Sequence, residues 1–516
     1  RHVPVMLLCL TVLFQSAAMT LGCMALCDVP VNVMTNYIFI LILILGTSDQ
    51  LHYLTLLLHP QHNPYPAKRD RLLHAQRFSF LPCFLTSFTT AIGFGGLLVT
   101  GAPVYTQLGI FSALGVVITF VNSLVFLPLL LQVLPLRLTP RSPALSMPHQ
   151  NLFSWIEKHH LGLTVSSALA LAVAVLLLPG NRFNIDFFEK FRPEHDFTQG
   201  LRHLLERFDY GDELEVVLTA PQDLTRDQTL ESKIKALATE LRSVPGVAGV
   251  SHMFDLVDHA RTTYAIGADR LLLDRLLFRF LYNYGPLGSG LTADRRKIVL
   301  EVRVRAVDSD GQLALARRIH DALARHGLTG GIDGIKRLWL EHIDALSDDL
   351  VRTSLVTAPL LALSLFVVTG LSWLWFLAVL VNILPLVLVM ACTALMHYDL
   401  DMNIIVVSSV GMGIAVDDTI HFCTHLRRHL RVGLDLSTSI ANALRDVGTA
   451  MLHTSLLLSA CFAVIWSSDF AVASMMSELF ILCFAFALLG DTVLLPAWLL
   501  TADRFRRKAR SRIDIP

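Results

Sequence analysis

Charge is scarce in this sequence. Only 16% of its 516 residues are Asp, Glu, Lys or Arg, against 53% that are hydrophobic, where a soluble globular protein carries about 25% charged residues. That scarcity excludes a soluble globular chain and predicts a polytopic α-helical membrane protein. What charge there is balances, 42 basic residues against 42 acidic, so nothing argues for nucleic acid or another polyanionic partner. The eight cysteines (Cys9, Cys23, Cys27, Cys83, Cys392, Cys423, Cys461 and Cys483) lie in or beside apolar runs, and the long polar stretch 180–349 has none. A disulfide framework in that stretch is thereby excluded, and the cysteines read as small buried hydrophobes. HExxH is missing too, and His59 and His62 fall in a Pro-rich loop, where they read as solvated and not as metal ligands. No charged leader with a cleavage site follows Arg1, so residues 1–26 are not expected to be a signal peptide, and the chain is expected to begin within a longer protein.

Apolar runs long enough to cross a bilayer, about 20 residues each, occur at 3–26, 33–58, 78–100, 104–134, 160–179, 350–370, 373–396, 402–426, 447–467 and 472–501. The short segments 27–32, 99–104, 397–403 and 467–472 contain no Lys or Arg. Basic residues gather in the alternate ones, among them Lys68, Arg69, Arg71, Arg427, Arg428, Arg431 and Arg445, and in the tail 502–516. By the positive-inside rule the basic segments are cytoplasmic and the long insert 180–349 lies on the other side.

The chain repeats itself. Asp49 and Asp418, and His52 and His421, stand 369 residues apart; Arg77 and Arg445, Thr86-Ser87 and Thr454-Ser455, and Pro128 and Pro496 stand 368 apart. Two related membrane halves follow from that spacing, an architecture recurrent among secondary transporters. The second half runs from about residue 155 and contains an insert, whereas residue 1 corresponds to about residue 370. The arithmetic predicts about 215 further residues upstream, holding a first span, an external domain and a second span.

The insert reads as α/β. Ile298, Leu300, Val302 and Val304 alternate with more polar neighbours, the mark of a strand with one buried face. Leu230, Ile234, Leu237 and Leu241 form a helical stripe ending at Pro245-Gly246, and Leu315, Ile319, Ala322 and Leu323 form another ending at Gly327. With strands at 213–219, 247–254 and 328–335, two βαβ units should assemble as a split ferredoxin-like domain. Residues 268–282 read as a core helix with a broad apolar face, the alternative being a hydrophobic substrate path or a membrane-surface contact.

The chemistry sits in GTSDQLHY (46–53) and AVDDTIHF (415–422). An Asp at the centre of a membrane helix costs about 2.5–3.5 kcal/mol on insertion scales, so intramembrane acids mark functional sites. Asp49 and His52 lie one helical turn apart on one face, as do Asp418 and His421. An acid and an imidazole in one apolar interface can exchange protons near neutral pH, which is what a proton relay requires. Asp417 stands about 100° round the helix from Asp418, and its counterpart is Ser48, so the halves are not equivalent. Two neighbouring acids disfavour simultaneous ionisation, leaving one free to take up a proton. Thr86, Ser87, Thr454, Ser455 and His453 are candidates to complete the path, or simply to bond helix to helix. Asp491, whose counterpart is Ser123, reads as such a helix-to-helix bond. An intramembrane metal hydrolase is the enzymatic alternative to the relay. It lacks a ligand motif, so no enzyme and no cofactor are expected.

SSVGMGIAVDDTIHF (408–422), LGTSDQLHY (45–53), PCFLTSFTTAIGFGGL (82–97) and FNIDFFEKFRPEHDF (183–197) resemble the resistance-nodulation-division (RND) superfamily. The closer resemblance is to its MMPL and hopanoid-exporter-like branch, related to Patched and the sterol-sensing-domain proteins. It extends over essentially the whole chain and implies twelve spans in an intact protein of the bacterial inner membrane. Residues 1–134 would then be spans 3 to 6, 135–158 a cytoplasmic linker, 159–179 span 7, 180–349 a periplasmic porter domain, 350–501 spans 8 to 12, and 502–516 a basic tail. The resemblance further implies export of a lipid or other hydrophobic molecule driven by protons, and proton-carrying acids at Asp49 and Asp418 with Asp417 adjacent; the oligomeric state stays open, a homo-oligomer among the options. Gln50 and Thr419 stand where lipid exporters of the family often have Tyr, so the partner role passes to His52 and His421. A sterol-sensing-type receptor without net transport is the alternative.

Overall fold

A computed structural model describes residues 3–32, 34–58, 65–136, 138, 148–182, 191–208, 212–220, 228–264, 292, 296–305, 309–370, 372–400 and 403–513. The elements begin with helices α1 (Val3–Leu26), α2 (Asn36–Leu58), α3 (Lys68–Gly95), α4 (Pro103–Val121), α5 (Leu127–Val133) and α6 (His149–Leu177). There follow α7 (Asp196–Phe208), β1 (Asp212–Thr219), α8 (Gln228–Arg242), β2 (Val247–Ser251), α9 (Met253–Tyr264), β3 (Lys297–Val304), α10 (Ser309–Arg325) and β4 (Thr329–Asp333). The chain closes with α11 (Ile335–Thr369), α12 (Trp373–Met396), α13 (Asn403–Arg431), α14 (Leu436–Trp466), α15 (Ala471–Leu489) and α16 (Leu495–Ile513). Two compact units result, Arg1–Arg182 with Asp348–Pro516, and Phe183–Ser347.

The first unit is a bundle of apolar helices. Among the described residues ten helical segments are long and apolar enough to cross a membrane, and they coincide with the ten runs expected from hydropathy. The protein is a polytopic helical membrane protein with a small α/β unit. The ends differ in one systematic way: α3 begins at Lys68 instead of 78, and α14 at Leu436 instead of 447. Helical hydrogen bonding continues past the hydrocarbon, where side chains turn polar and hydropathy no longer reports the helix.

The sequence repeat recurs in the backbone. Wide π-helical turns occur at Asn122–Phe126 and Gly490–Leu494, and Pro128 or Pro496 follows each at the same interval. A proline has no N–H to give the carbonyl four residues before it, and its ring crowds that carbonyl. Gln76 fills the vacancy in the first half, donating from Nε2 to the Leu124 carbonyl at 3.0 Å.

Helix α13 is the most buried span, closed off on every side from Asn403 to Val416, as expected of a helix apolar all round. It crosses α3 at two glycines. A Cβ on Gly93 would lie 2.9 Å from the Ser409 carbonyl oxygen and 3.1 Å from Gly413 Cα; one on Gly413 would lie 3.2 Å from the Thr89 carbonyl oxygen. Small residues let membrane helices approach this closely, and Ser409 Oγ donates to the Gly93 carbonyl at 2.5 Å across the contact. The repeat places Cys461 and Ile44 at the matching positions, and neither is small enough for the same approach. The halves are thus related in sequence but unequal in packing.

In the second unit the four strands pair antiparallel in the order β2-β3-β1-β4, the order of a split βαβ, ferredoxin-like sheet. Leu214, Val216 and Leu218 of β1 stand opposite Val302, Leu300 and Ile298 of β3. Their buried face meets Ile234, Leu237 and Leu241 of α8 and Leu315, Ile319 and Leu323 of α10 in one core. Helix α8 stops before Gly246 and α10 before Gly327, both at positive φ (94° and 60°), where glycine pays no Cβ penalty. Strand β2 ends at Ser251 because α9 starts at Met253, three residues short of the expected 254. The stripe at 268–282 lies outside the described residues, as do His59 and His62. Glu240 of α8 accepts from Arg325 at 2.6 Å and pairs with His326 Nε2 at 2.7 Å. These bonds, that of Arg325 first, hold the Glu240 carboxyl below its usual range.

Two outcomes are expected. Gly93→Ala and Gly413→Ala should each destabilise the bundle by about 1–3 kcal/mol, the range for forcing extra methyl groups into packed contacts. Gly95→Ala, with nothing within 4 Å of its added Cβ, should be neutral; thermal unfolding in detergent separates the two cases. For Glu240 the folded pKa lies below the unfolded one, so its contribution is present above the ordinary glutamate range, about pH 4.3, and is lost as pH falls through the folded value. The opening free energy of α8 and α10, read from amide protection factors after correction for intrinsic exchange, should therefore fall on acidification, by no more than about 1 kcal/mol at so exposed a pair, and Glu240→Gln should flatten that dependence.

Candidate functional site

Helices α2 and α13 carry the two Asp-x-x-His segments, and the bundle brings them together. The His52 and His421 rings stack across the pair with centroids 4.0 Å apart and planes inclined by 7°. Both are buried. Among the described residues neither ring is hydrogen-bonded to a carboxylate, so the histidines meet each other instead of the acids one turn away. The reason is helix geometry. Residues three apart share a face without pointing the same way, and the acids turn toward the flanking helices.

Those helices are α3 and α14, equivalents under the repeat. Ser87 Oγ on α3 donates to Asp49 Oδ2 at 3.1 Å, and Ser455 Oγ on α14 donates to Asp418 Oδ2 at 3.3 Å. Thr454 Oγ1 adds a longer bond to Asp418 Oδ1 at 3.5 Å. Thr86, its counterpart, donates to the Cys83 carbonyl at 3.0 Å and gives no bond to Asp49. His453 lies on α14, half-buried, and contributes no hydrogen bond to either carboxylate among the described residues.

Asp417 has its own partners, which the sequence reading did not single out. Its Oδ1 is approached by Thr89 Oγ1 at 3.3 Å and Thr90 Oγ1 at 3.5 Å, both on α3 beside the glycine crossing. The signal was available: Thr86, Thr89 and Thr90 recur at helical spacing along an otherwise apolar segment. What the sequence could not show is that α3 of the first half, and not α14 of its own, serves Asp417.

Two small cavities flank the acids, each of about 20 Å³, room for about one water. Asp49, Ser87 and Thr90 line one; Asp418, Thr454 and Ser455 line the other. Ser48 and Asp417 line both. The pair that breaks the symmetry of the repeat therefore sits between the two matched acids. Asp491 lies in the π turn and accepts from Thr419 Oγ1 at 2.5 Å, while Thr419 in turn accepts from Asn382 Nδ2 at 2.9 Å. That chain ties α12, α13 and the last span together. Gln50, the repeat partner of Thr419, likewise reaches the equivalent of α12, donating to the Cys9 carbonyl of α1 at 3.2 Å.

No family model and no curated protein sequence matches this chain. Solved structures do. The hedgehog release protein Disp from the water bear Hypsibius dujardini matches with a TM-score of 0.66 at 14% identity, over 95% of this chain and 66% of that one. SecDF, a translocon-associated membrane protein from Thermus thermophilus, matches with a TM-score of 0.59 at 12% identity, over 97% of this chain and 59% of its own. SecDF in its super-membrane-facing form matches with a TM-score of 0.57 at 14% identity, over 99% and 60%. The chain spans between 59% and 66% of the length of these structures, and at such identities the likeness is one of fold. This chain shares the fold of these membrane proteins.

Proposed function

We propose that this protein is a proton-driven RND-type transporter in which Asp49, Asp417 and Asp418 carry protons and the movement of a lipid or other amphiphile is coupled to their passage. The observation that carries the reading is the arrangement of the acids: two matched carboxylate–serine pairs on either side of a seam made by Asp417 and Ser48, each with room for about one water. Acids at bilayer depth are costly and mark ion pathways. A carboxylate hydrogen-bonded to neutral groups such as hydroxyls can release and rebind a proton without breaking a salt bridge, and single waters bridge polar groups nearly as well as direct bonds. His52 and His421, stacked at the same level, extend the path. Thr454, Ser455 and Ser87 orient the carboxylates; Thr86 and His453 act in packing.

The likeness to a hedgehog release protein and to a translocon-associated protein supports transport in general, since the two are named for different tasks. The amphiphilic substrate rests on the motifs around Asp49 and Asp418, which resemble the lipid-exporting branch. That branch also places the α/β unit outside the bacterial inner membrane as a porter domain.

Purified protein in liposomes with an internal pH dye and a fluorescent lipid tests this. Asp418→Asn and Asp49→Asn keep an acceptor for Ser455 and Ser87 and should fold, yet each should lower proton flux and lipid export together by about a hundredfold, the scale of a positioned proton-transfer group. Unchanged flux in both variants sinks the relay. Lipid binding with no flux in the unsubstituted protein, indifferent to a pH gradient, instead assigns it a receptor role of the sterol-sensing type.

A further inference from the structure

Below the stacked histidines α13 carries two more. His421, His425 and His429 follow one another at intervals of four, which places them in one stripe along the helix, with Cβ atoms about 5–6 Å apart from turn to turn. The last two converge on one carboxylate of α14. His429 Nε2 lies 2.9 Å from Asp446 Oδ2, and His425 Nδ1 lies 3.4 Å from the same oxygen. His421 is buried, whereas the His425, His429 and Asp446 side chains are partly exposed, at 21%, 17% and 16%. The stripe ends among Arg427, Arg428 and Arg431, and Arg445 Nε approaches Asp446 Oδ1 at 3.6 Å. That basic end is the cytoplasmic one by the positive-inside rule.

Among the described residues the first half shows no matching cluster. Under the repeat, His425 corresponds to Leu56 and Asp446 to Phe78. The Phe78 ring is covered by the Arg428 guanidinium at 4.9 Å, so the matching route is filled by apolar groups under a cation. His425, His429 and Asp446 do not form a metal cage either: among the described residues no group of three His, Cys, Asp or Glu side chains is placed to hold an ion.

We propose that His421, His425, His429 and Asp446 form a one-sided proton conduit that joins the acid site to water at the basic end of the bundle. The proposal rests on the proton-relay reading of Asp49, Asp417 and Asp418 and adds the exit that this reading leaves open. Each imidazole takes a proton on one ring nitrogen and releases the one on its other nitrogen, ending neutral with its tautomer exchanged; a ring flip restores it. The gap of one turn between His421 and His425 is bridged by a water or by ring rotation. Asp446 accepts from His425 and passes the proton to His429 or to solvent, returning to carboxylate, so no charge accumulates.

Proton flux into liposomes containing the full chain decides the matter, with thermal unfolding as the control for structure. Asp446→Asn and His425→Gln keep hydrogen-bonding groups at the contact but cannot shuttle protons, and each should slow flux by about tenfold or more. Asp446→Glu should restore most of it. His429→Gly should be slow and should recover when imidazole is added to the outer buffer, a rescue that a purely structural clamp does not predict. Full flux in Asp446→Asn and His425→Gln, with Asp418→Asn inactive, overturns the conduit and leaves the relay standing. Full flux in Asp418→Asn overturns both. Should Asp446→Asn fail to fold, the imidazole rescue alone decides, and its absence overturns the proposal.

Discussion

A carboxylate at bilayer depth has no water to solvate it, and the organisation of this bundle follows from meeting that need. Each of the three central acids is served by hydroxyls from a neighbouring helix: Asp49 by Ser87, Asp418 by Ser455 and Thr454, Asp417 by Thr89 and Thr90. Leaving such a group unsatisfied in an apolar medium costs several kcal/mol. The helices bearing the hydroxyls must therefore lie within hydrogen-bonding distance of those bearing the acids. That requirement is met where α3 lies against α13 at Gly93 and Gly413, whose lack of side chains lets the two backbones approach closely.

The departures from symmetry share that origin. Asp417 exists only in the second copy, and it is satisfied because two glycines bring α3 close enough for Thr89 and Thr90 to reach it. The first copy has Ser48 in that place, Ile44 and Cys461 at the corresponding crossing, and no need for a tighter approach. The histidine stripe is one-sided in the same sense, present where α13 meets α14 and replaced by Leu56 and Phe78 in the other half. A duplicated scaffold has in this way become an asymmetric one, with matched acids and an unmatched aspartate between them.

Much of this was legible beforehand. Hydropathy located ten spans, because the hydrophobic thickness of a bilayer imposes a minimum run of apolar residues. Alternation in 298–304 and the stripes at 230–241 and 315–323 marked the strands and helices of the α/β unit, since each buries one face. The offset of 368–369 residues reappeared as paired π turns ahead of Pro128 and Pro496. Helix ends were less legible, as at Lys68 and Leu436, because a helix does not stop where its side chains become polar.

Residue identity alone determined which groups are chemically able to carry a proton, Asp49, Asp417, Asp418, His52 and His421, and that they belong to two copies of one unit. Which of them touch was decided only in three dimensions. The sequence pairs each acid with the histidine one turn away, whereas the fold stacks the two histidines on each other and gives the acids to hydroxyls from α3 and α14. The physical reason is that spacing along a helix defines a face but not a neighbour. Neighbours depend on how closely two helices can approach, and that is settled by small residues such as Gly93 and Gly413, far apart in the chain and silent until they meet.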